Sequence, residues 1–342
     1  MPVITERAAV NPQLLADSKG RWRRMMRIES VGANVSDVIK ATSELLPERL
    51  VYAEGDSWFD KFTPIPMSGT NLLAAIRTPF LTAVVDVAHI GDEARDMVSG
   101  HQARQTRAMF NLFDFDAILL SAGGNDLKNV FTDMFASKAL ANEGISSTFQ
   151  PKDLDKLSTP STFKEFFAEV MRNIGRFVDL RSAARREITR AAPILVHGYD
   201  YLQPRPAGAD IFVGSSIGRG PWLYPALHAA GLSDAQMRST ADAIVDEMNA
   251  QLQSVIAVLP NVHVIDQRGL LIPAAAGTTG SDADWLDEIH PNVQGFEKLA
   301  RNRWDVPVSR ALRWVPGPGE LTAPLDPTTT STALADAANP IA

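Results

Sequence analysis

The amino-acid sequence predicts an α/β protein, a three-layer α/β/α sandwich built on a five-stranded parallel sheet. Five short apolar runs, rich in leucine or β-branched residues, are each followed by a Gly-rich or polar turn and then by helix-like sequence. Near-continuous apolar runs of this length are typical of strands that helices cover on both faces. Alternation of such strands with helical segments indicates a parallel sheet with helices on both sides.

The predicted strands are short and the predicted helices are longer. The strands cover residues 49–54, 82–89, 116–122, 193–197 and 262–266. The helices cover residues 70–77, 93–110, 162–189, 234–258 and 292–304. Two Pro-, Gly- and Ser-rich stretches, 128–160 and 203–225, interrupt the alternation and are interpreted as insertions. Because both follow predicted strand ends, we expect them to line or cover a substrate crevice.

This pattern predicts one domain, residues 46–305, between two extensions. The N-terminal extension, residues 1–45, is expected to be helical, and its stretch 14–28 mixes apolar residues with arginines as a basic amphipathic helix does. The C-terminal extension, residues 306–342, has few large apolar residues beyond residue 316, so its end is predicted to be disordered.

Composition excludes several function classes. The 342 residues carry 33 basic and 40 acidic side chains, a net charge of −7, so we predict no nucleic-acid partner. The absence of cysteine excludes disulfides, thiolate metal sites and a cysteine nucleophile. The sequence contains no run of about 18 apolar residues, so we predict no transmembrane segment. Residues 1–13 lack the apolar run of a secretion signal, so a cytoplasmic location is the default expectation, with signal-less export left open.

Three predicted strands end in residues that suit attack on a carbonyl group. The first runs into Gly55-Asp56-Ser57-Trp58, where Ser57 is a candidate nucleophile at a strand end. Gly91 and Asn125 follow the next two strands and are candidate hydrogen-bond donors to an oxyanion. Each turn alone is also typical of an ordinary helix cap. Because the carboxyl ends of parallel strands share one edge of the sheet, we expect the three residues to converge.

A further motif, Asp287-Glu288-Ile289-His290, lies near the C-terminus. A spacing of three lets the Asp287 carboxylate reach the His290 imidazole and fix its tautomer, although the same spacing also suits a pair of residues that cap a helix start. His89 and His197 have no carboxylate at a spacing typical of a metal site, so we predict neither a metal nor another cofactor.

Together these motifs resemble those of the SGNH hydrolases, also called GDSL-type esterases and lipases. Four blocks match in order, at residues 55–58, 90–92, 123–126 and 287–290. The resemblance spans about residues 50 to 305 and implies a flavodoxin-like α/β/α fold with a five-stranded parallel sheet. It departs from the family pattern at Trp58, where the family has leucine, and at His89, where asparagine is frequent.

The resemblance implies a role for each block. Ser57 would be the nucleophile, His290 the general base and Asp287 the residue that orients it. The backbone N–H groups of Ser57 and Gly91 and the side chain of Asn125 would form the oxyanion hole.

Residues after the fourth predicted strand and beside the nucleophile are candidates for substrate binding. Trp58, Tyr199, Asp200 and Tyr201 are predicted to contact the substrate, although buried aromatic residues with satisfied hydrogen bonds would give the same sequence.

The predicted activity is hydrolysis of a small-molecule or lipid carboxylic ester through an acyl-enzyme. Two alternatives use the same site, an acyltransferase and a carbohydrate acetylesterase. A third is a lipid- or carbohydrate-binding module on a decayed hydrolase fold, but the presence of every catalytic residue type favours an enzyme. The sequence does not indicate an oligomeric state.

Overall fold

A computed structural model of the chain describes residues 22–29, 35–60, 71–128, 131, 160–208 and 220–315. The predictions for residues 14–21, for most of the first insertion, for the middle of the second and for the chain beyond residue 315 lie outside this part.

The described residues form a central parallel sheet of six strands. In chain order these are β2 Met26–Glu29, β3 Arg49–Gly55, β5 Thr82–Asp86, β6 Ala117–Ser121, β7 Ile194–His197 and β8 Val262–Ile265. Their order across the sheet is β2-β5-β3-β6-β7-β8. Two short strands, β1 Arg23–Arg24 and β4 Arg77–Thr78, form a separate antiparallel pair. The five predicted strands are confirmed, and their order, 2-1-3-4-5 when they are numbered along the chain, is the flavodoxin-like one.

The strand count and the first predicted helix need correction. Strand β2 adds a sixth strand, and residues 22–28 are not the amphipathic helix that the sequence predicts. β2 pairs in parallel with β5, from Met26 opposite Ala83 to Glu29 opposite Asp86. The unpaired backbone edge of β5 offers hydrogen bonds to this segment, and such tertiary pairing outweighs helix periodicity. Arg27 strengthens the pairing, because its Nε donates to Asp86 Oδ2 at 2.9 Å.

Helices cover both faces of the sheet. They are α1 Val35–Leu45, α2 Leu72–Ala75, α3 Ala94–Met97, α4 Gly100–Leu112, α5 Pro160–Ser182, α6 Glu187–Ala191, α7 Tyr224–Ala229, α8 Asp234–Ile256, α9 Val293–Leu299 and α10 Asp305–Ala311, with a π-helical turn, Ala300–Trp304, between the last two. On one face α5 packs against α3, α4 and α8. On the other, α2, α9, the π-helical turn and α10 pack together. Among the described helices, none is both long and apolar enough to cross a membrane.

Aromatic side chains fill both interfaces between sheet and helices. On the α4 face, the ring of Tyr52 packs edge-on against Phe110 at 4.8 Å and against Phe115 at 5.2 Å. On the α9 face, Phe59 packs edge-on against Trp304 at 5.8 Å. These rings are fully buried, so the sheet is held between two apolar layers.

The strand order places a crevice at the end of β3. From β3 the chain passes to β5 on one side of the sheet and then to β6 on the other, and ligands bind at such switch points in open α/β sheets. Gly55 lies opposite Ser121 there, and a Cβ at position 55 would lie 2.8 Å from the Ser121 Cβ. Glycine is therefore required for β6 to run beside the turn that leads to Ser57.

Candidate active site

Ser57 and His290 meet at the carboxyl end of β3. Ser57 follows β3 directly after Asp56 and is 8% exposed. Its Oγ lies 2.7 Å from Nε2 of His290, a hydrogen-bond distance. The two residues are 233 positions apart in the chain, so the tertiary fold creates this contact.

Asp287 holds the other side of the His290 ring. Its carboxylate oxygens lie 2.9 and 3.0 Å from Nδ1, and the carboxylate is fully buried. Asp287 Oδ1 also accepts the backbone N–H groups of Ile289 and His290, which closes the turn before α9. A proton on Nδ1 bonded to this carboxylate leaves the Nε2 lone pair facing Ser57, the arrangement that a general base needs.

Arg205 supports the Asp287 turn from behind. It is fully buried, its Nη2 donates to the carbonyl oxygen of Asp287 at 2.9 Å, and its Nη1 donates to Thr278 Oγ1 at 3.0 Å. Sequence analysis does not find this role, because Arg205 belongs to the second predicted insertion and makes its contacts far along the chain.

Glu288 fastens another part of the second insertion beside the imidazole. Its carboxylate accepts the backbone N–H groups of Trp222, Leu223 and Tyr224, the last two at 2.9 and 2.7 Å. Burial raises the pKa of Glu288 to about 7. The Trp222 ring then lies edge-on to the His290 ring, 5.7 Å between centroids.

Asn125 and the Gly91 turn are joined to each other. Asn125 lies in a helical segment at 124–128, is 5% exposed, and its Nδ2 donates to the carbonyl oxygen of Asp92 at 3.1 Å. Gly91 has a φ of +94°, a left-handed conformation that favours glycine. Asn125 lines the same cavity as Ser57, whereas Gly91 does not line it.

Asp126 makes a second link between these two blocks. Both of its carboxylate oxygens accept the backbone N–H of Ala94, at 3.1 and 2.9 Å, at the start of α3. Burial raises the pKa of Asp126 to about 7.

Asp56 ties the strand ends together beneath Ser57. Its Oδ1 accepts the Trp58 N–H at 3.1 Å and the Ser121 hydroxyl at 2.7 Å, and its Oδ2 accepts the Tyr199 hydroxyl at 2.5 Å. The Tyr199 oxygen in turn accepts the Gly124 N–H at 2.9 Å. Through these bonds Asp56 connects the residues that follow β3, β6 and β7.

Three of the four residues predicted to contact the substrate line the cavity, Trp58, Tyr199 and Asp200, and the fourth, Tyr201, does not. Trp58 is 4% exposed and packs edge-on against the Tyr199 ring at 5.4 Å. The Tyr201 hydroxyl instead donates to Asp246 at 2.7 Å.

Asp200 is an anchor for the backbone of a following loop. Its carboxylate accepts the N–H groups of Gly269, Leu270 and Leu271, with Leu271 at 2.7 Å. Burial raises the pKa of Asp200 to about 6.

The cavity beside Ser57 is mainly apolar. Its aliphatic lining includes Leu127, Leu202, Leu223, Ile244, Val245 and Met248. Lys128 is the one basic side chain among the described residues that line it, and burial lowers the pKa of its ammonium group. An apolar wall next to a serine hydroxyl suits a ligand that is partly hydrocarbon.

Neither a family model nor a curated protein matches the sequence. Similar solved structures include the lipase Lip_vut3 from a goat rumen metagenome, at 15% identity and a TM-score of 0.44, which covers 74% of this chain and 94% of that one. A catalytic mutant of Axe2, an acetylxylan esterase from Geobacillus stearothermophilus, is 16% identical with a TM-score of 0.39, over 78% of this chain and 95% of that one. The native aryl esterase of M. smegmatis is 13% identical with a TM-score of 0.39, over 78% of this chain and 98% of that one. At these identities, and with TM-scores below 0.5, the three structures do not indicate an activity for this chain.

Proposed function

We propose that this chain is a serine hydrolase that cleaves carboxylic esters through an acyl-enzyme on Ser57. The observation that carries the proposal is the continuous hydrogen-bonded line from Ser57 Oγ to His290 Nε2, at 2.7 Å, and from His290 Nδ1 to Asp287 Oδ2, at 2.9 Å. A nucleophile, a base and a group that orients the base are the parts that acyl transfer needs.

In the first half-reaction, Ser57 Oγ attacks the ester carbonyl carbon while His290 Nε2 takes the hydroxyl proton. The carbonyl oxygen becomes an oxyanion, which the N–H groups of Ser57 and Gly91 and the side-chain amide of Asn125 stabilise. The tetrahedral intermediate then collapses, the alcohol leaves with the proton from His290, and the acyl group remains on Ser57.

In the second half-reaction, water attacks the acyl carbon and gives its proton to His290. The second tetrahedral intermediate expels Ser57 Oγ, which recovers that proton, and the carboxylic acid leaves. The Asp287 carboxylate stabilises the imidazolium that forms twice in each cycle.

The cavity supports an ester with an apolar acyl group. Leu127, Leu223 and Ile244 are among the aliphatic side chains that line it beside Ser57. A hydrocarbon acyl chain would gain about 0.8 kcal/mol for each CH₂ that it buries there. We therefore propose small-molecule or lipid esters of aliphatic acids as the substrate class.

The test is hydrolysis of p-nitrophenyl esters from acetyl to palmitoyl by the wild type and Ser57→Ala, combined with a phosphonate label and peptide mass mapping. We expect turnover that Ser57→Ala abolishes, a label on Ser57, and a preference for longer acyl chains over acetyl. Ser99→Ala is the matched control, because the exposed Ser99 makes no side-chain cap at the start of α4. Undiminished turnover by Ser57→Ala, or a label on a different residue, would contradict the proposal. Product analysis with an added alcohol acceptor separates hydrolysis from acyl transfer.

A further inference from the structure

Glu54 is a buried carboxylate that the proposed reaction does not use. It lies in β3 among apolar residues and is 1% exposed. Its Oε2 accepts a long hydrogen bond from the Tyr52 hydroxyl, 3.4 Å, and its Oε1 has no hydrogen-bond partner among the described residues. A buried oxygen without a partner is costly, so its retention calls for an explanation.

His89 and Asp92 lie next to this carboxylate, in the turn that follows β5. His89 Nδ1 lies 3.4 Å from Asp92 Oδ2. One ligand atom from each of Glu54, His89 and Asp92 lies within 4.8 Å of the other two. Two metal–ligand bonds of about 2.1 Å place their ligand atoms about 3 to 4 Å apart, so the three side chains would close in by up to about 1 to 2 Å when they bind one ion.

We propose that Glu54, His89 and Asp92 form a binding site for one divalent transition-metal ion of the Mn²⁺, Co²⁺ and Zn²⁺ class. Two carboxylates and a neutral imidazole supply a charge that matches a divalent cation. The imidazole ligand favours these ions over Mg²⁺ and Ca²⁺, which prefer oxygen ligands alone. The His89 side chain is 46% exposed, so an ion reaches the site from solvent.

Neighbouring groups hold two of the three ligands in place. Gln102, on α4, donates from Nε2 to Asp92 Oδ2 at 2.5 Å, and the backbone N–H of His89 donates to the carbonyl oxygen of Gly55 at 3.0 Å. Outer hydrogen bonds of this kind orient metal ligands.

The site differs from the expectation drawn from the sequence, which is that no metal binds. Glu54 lies 35 positions before His89 inside an apolar run, so no local spacing connects the two. The contact exists because β3 and β5 are neighbours in the sheet, with Ala53 opposite Asp86.

The ion would also fix a part of the catalytic site. The carbonyl oxygen of Asp92 accepts the side-chain amide of Asn125, and Gly91 is the preceding residue. Under the proposed function, an ion on the Asp92 carboxylate would steady two donors of the oxyanion hole. This consequence rests on the proposed function, whereas the binding of the ion does not.

Binding is tested on the full-length, untagged chain after dialysis against EDTA and removal of the chelator. MnCl₂ is titrated while the electron paramagnetic resonance signal of free Mn²⁺ is recorded, and ZnCl₂ stoichiometry is measured by elemental analysis after gel filtration. We expect one ion per chain and an affinity that falls at least about 10-fold in both Glu54→Gln and His89→Ala. His101→Ala is the matched control, because His101 is exposed on α4 outside the cluster, and its affinity should equal that of the wild type.

Absence of bound metal, or equal affinities in the wild type and His89→Ala, would overturn the proposal. His89→Ala decides the matter even where Glu54→Gln fails to fold, because His89 lies on the surface. The Ser57→Ala variant should bind the ion as the wild type does. A hydrolase without a metal site and a metal site without hydrolase activity are therefore separate, recognisable results.

Discussion

Two histidine–carboxylate pairs with the same spacing of three lie near the carboxyl end of the sheet, and they differ in their surroundings. Asp287 and His290 are enclosed, with side chains 0% and 7% exposed, and the far nitrogen of the ring meets Ser57. His89 and Asp92 are open to solvent, with side chains 46% and 15% exposed, and they face the buried Glu54.

The difference shows what an Asp-x-x-His or His-x-x-Asp spacing determines. The spacing brings an imidazole and a carboxylate within reach of each other in both cases. Under the two proposals the third group decides the chemistry, because a hydroxyl would complete a proton-transfer line and a second carboxylate would complete a cation site. Neither third group is close in sequence to its histidine.

The largest expected effect compares the two carboxylates directly. Asp287→Asn should lower kcat about 10⁴-fold, because an amide favours the wrong imidazole tautomer. Asp92→Asn should lower kcat by no more than about 10-fold, since Asp92 contacts Asn125 through its backbone alone. The measurement is kcat on the best p-nitrophenyl ester, with circular dichroism to verify folding. Equal losses in the two variants would mean that the pairs do not have different roles.

The next effect concerns Asn125, which bonds to the Asp92 turn and lines the cavity with Ser57. Asn125→Ala should lower kcat about 100- to 1000-fold with little change in KM, the usual loss when one oxyanion donor is removed. Steady-state kinetics on the same ester measures it. A near-normal kcat would remove Asn125 from the mechanism.

A third histidine, His197, differs from His290 and His89 because no carboxylate of the described part of the chain pairs with it. Neither of its ring nitrogens has a hydrogen-bond partner among the described residues. It is fully buried beside Trp58, and burial lowers its pKa to about 3. Since the folded pKa lies below the unfolded value of about 6.5, its stabilising contribution is complete above pH 6.5 and is lost as the pH falls towards 3.

Between pH 7 and pH 4.5 the wild type should therefore lose about 2 to 3 kcal/mol of stability through His197 alone. The His197→Phe variant should not show this part of the loss. Urea unfolding at both pH values gives this difference, with His101→Ala as the exposed control. An unchanged pH dependence in His197→Phe would show that this histidine does not resist protonation in the folded protein.

The smallest effect compares a buried hydrogen bond with a more exposed one. Tyr199→Phe should reduce the free energy of unfolding by about 1 to 3 kcal/mol, because the buried Asp56 loses a donor and the Gly124 N–H loses its acceptor. Tyr201→Phe, which removes the bond to Asp246, should change it by less than about 0.5 kcal/mol. Similar losses in the two variants would show that the Asp56 network does not hold the strand ends together.

The sequence predicts the parts of the protein that local patterns encode. The five apolar runs identify β3, β5, β6, β7 and β8, and the ordered blocks name Ser57, Asp287 and His290, whose catalytic roles remain a proposal. Strand β2 is missed because its short mix of apolar and Arg residues is equally typical of a helix, and its partner β5 lies more than 50 residues away.

The supporting residues of the site are the ones that sequence analysis does not find. Arg205 and Glu288 act largely by bonding to backbone groups, as Arg205 does at the Asp287 carbonyl. Backbone groups are the same at every position, so such contacts leave no pattern of residue types. The role proposed for Glu54, a single glutamate inside an apolar strand, is hidden for a related reason, because the neighbours of Glu54 are set by strand order.

The position of β2 also bears on the solubility of the folded chain. All five residues of β5 are buried, and its outer backbone edge would be a template for strands of other molecules if it were bare. β2 covers that edge with only four residues and places a charged arginine among them. A strand that is this short and charged is a poor template itself, so the N-terminal segment protects the sheet against aggregation through its edge.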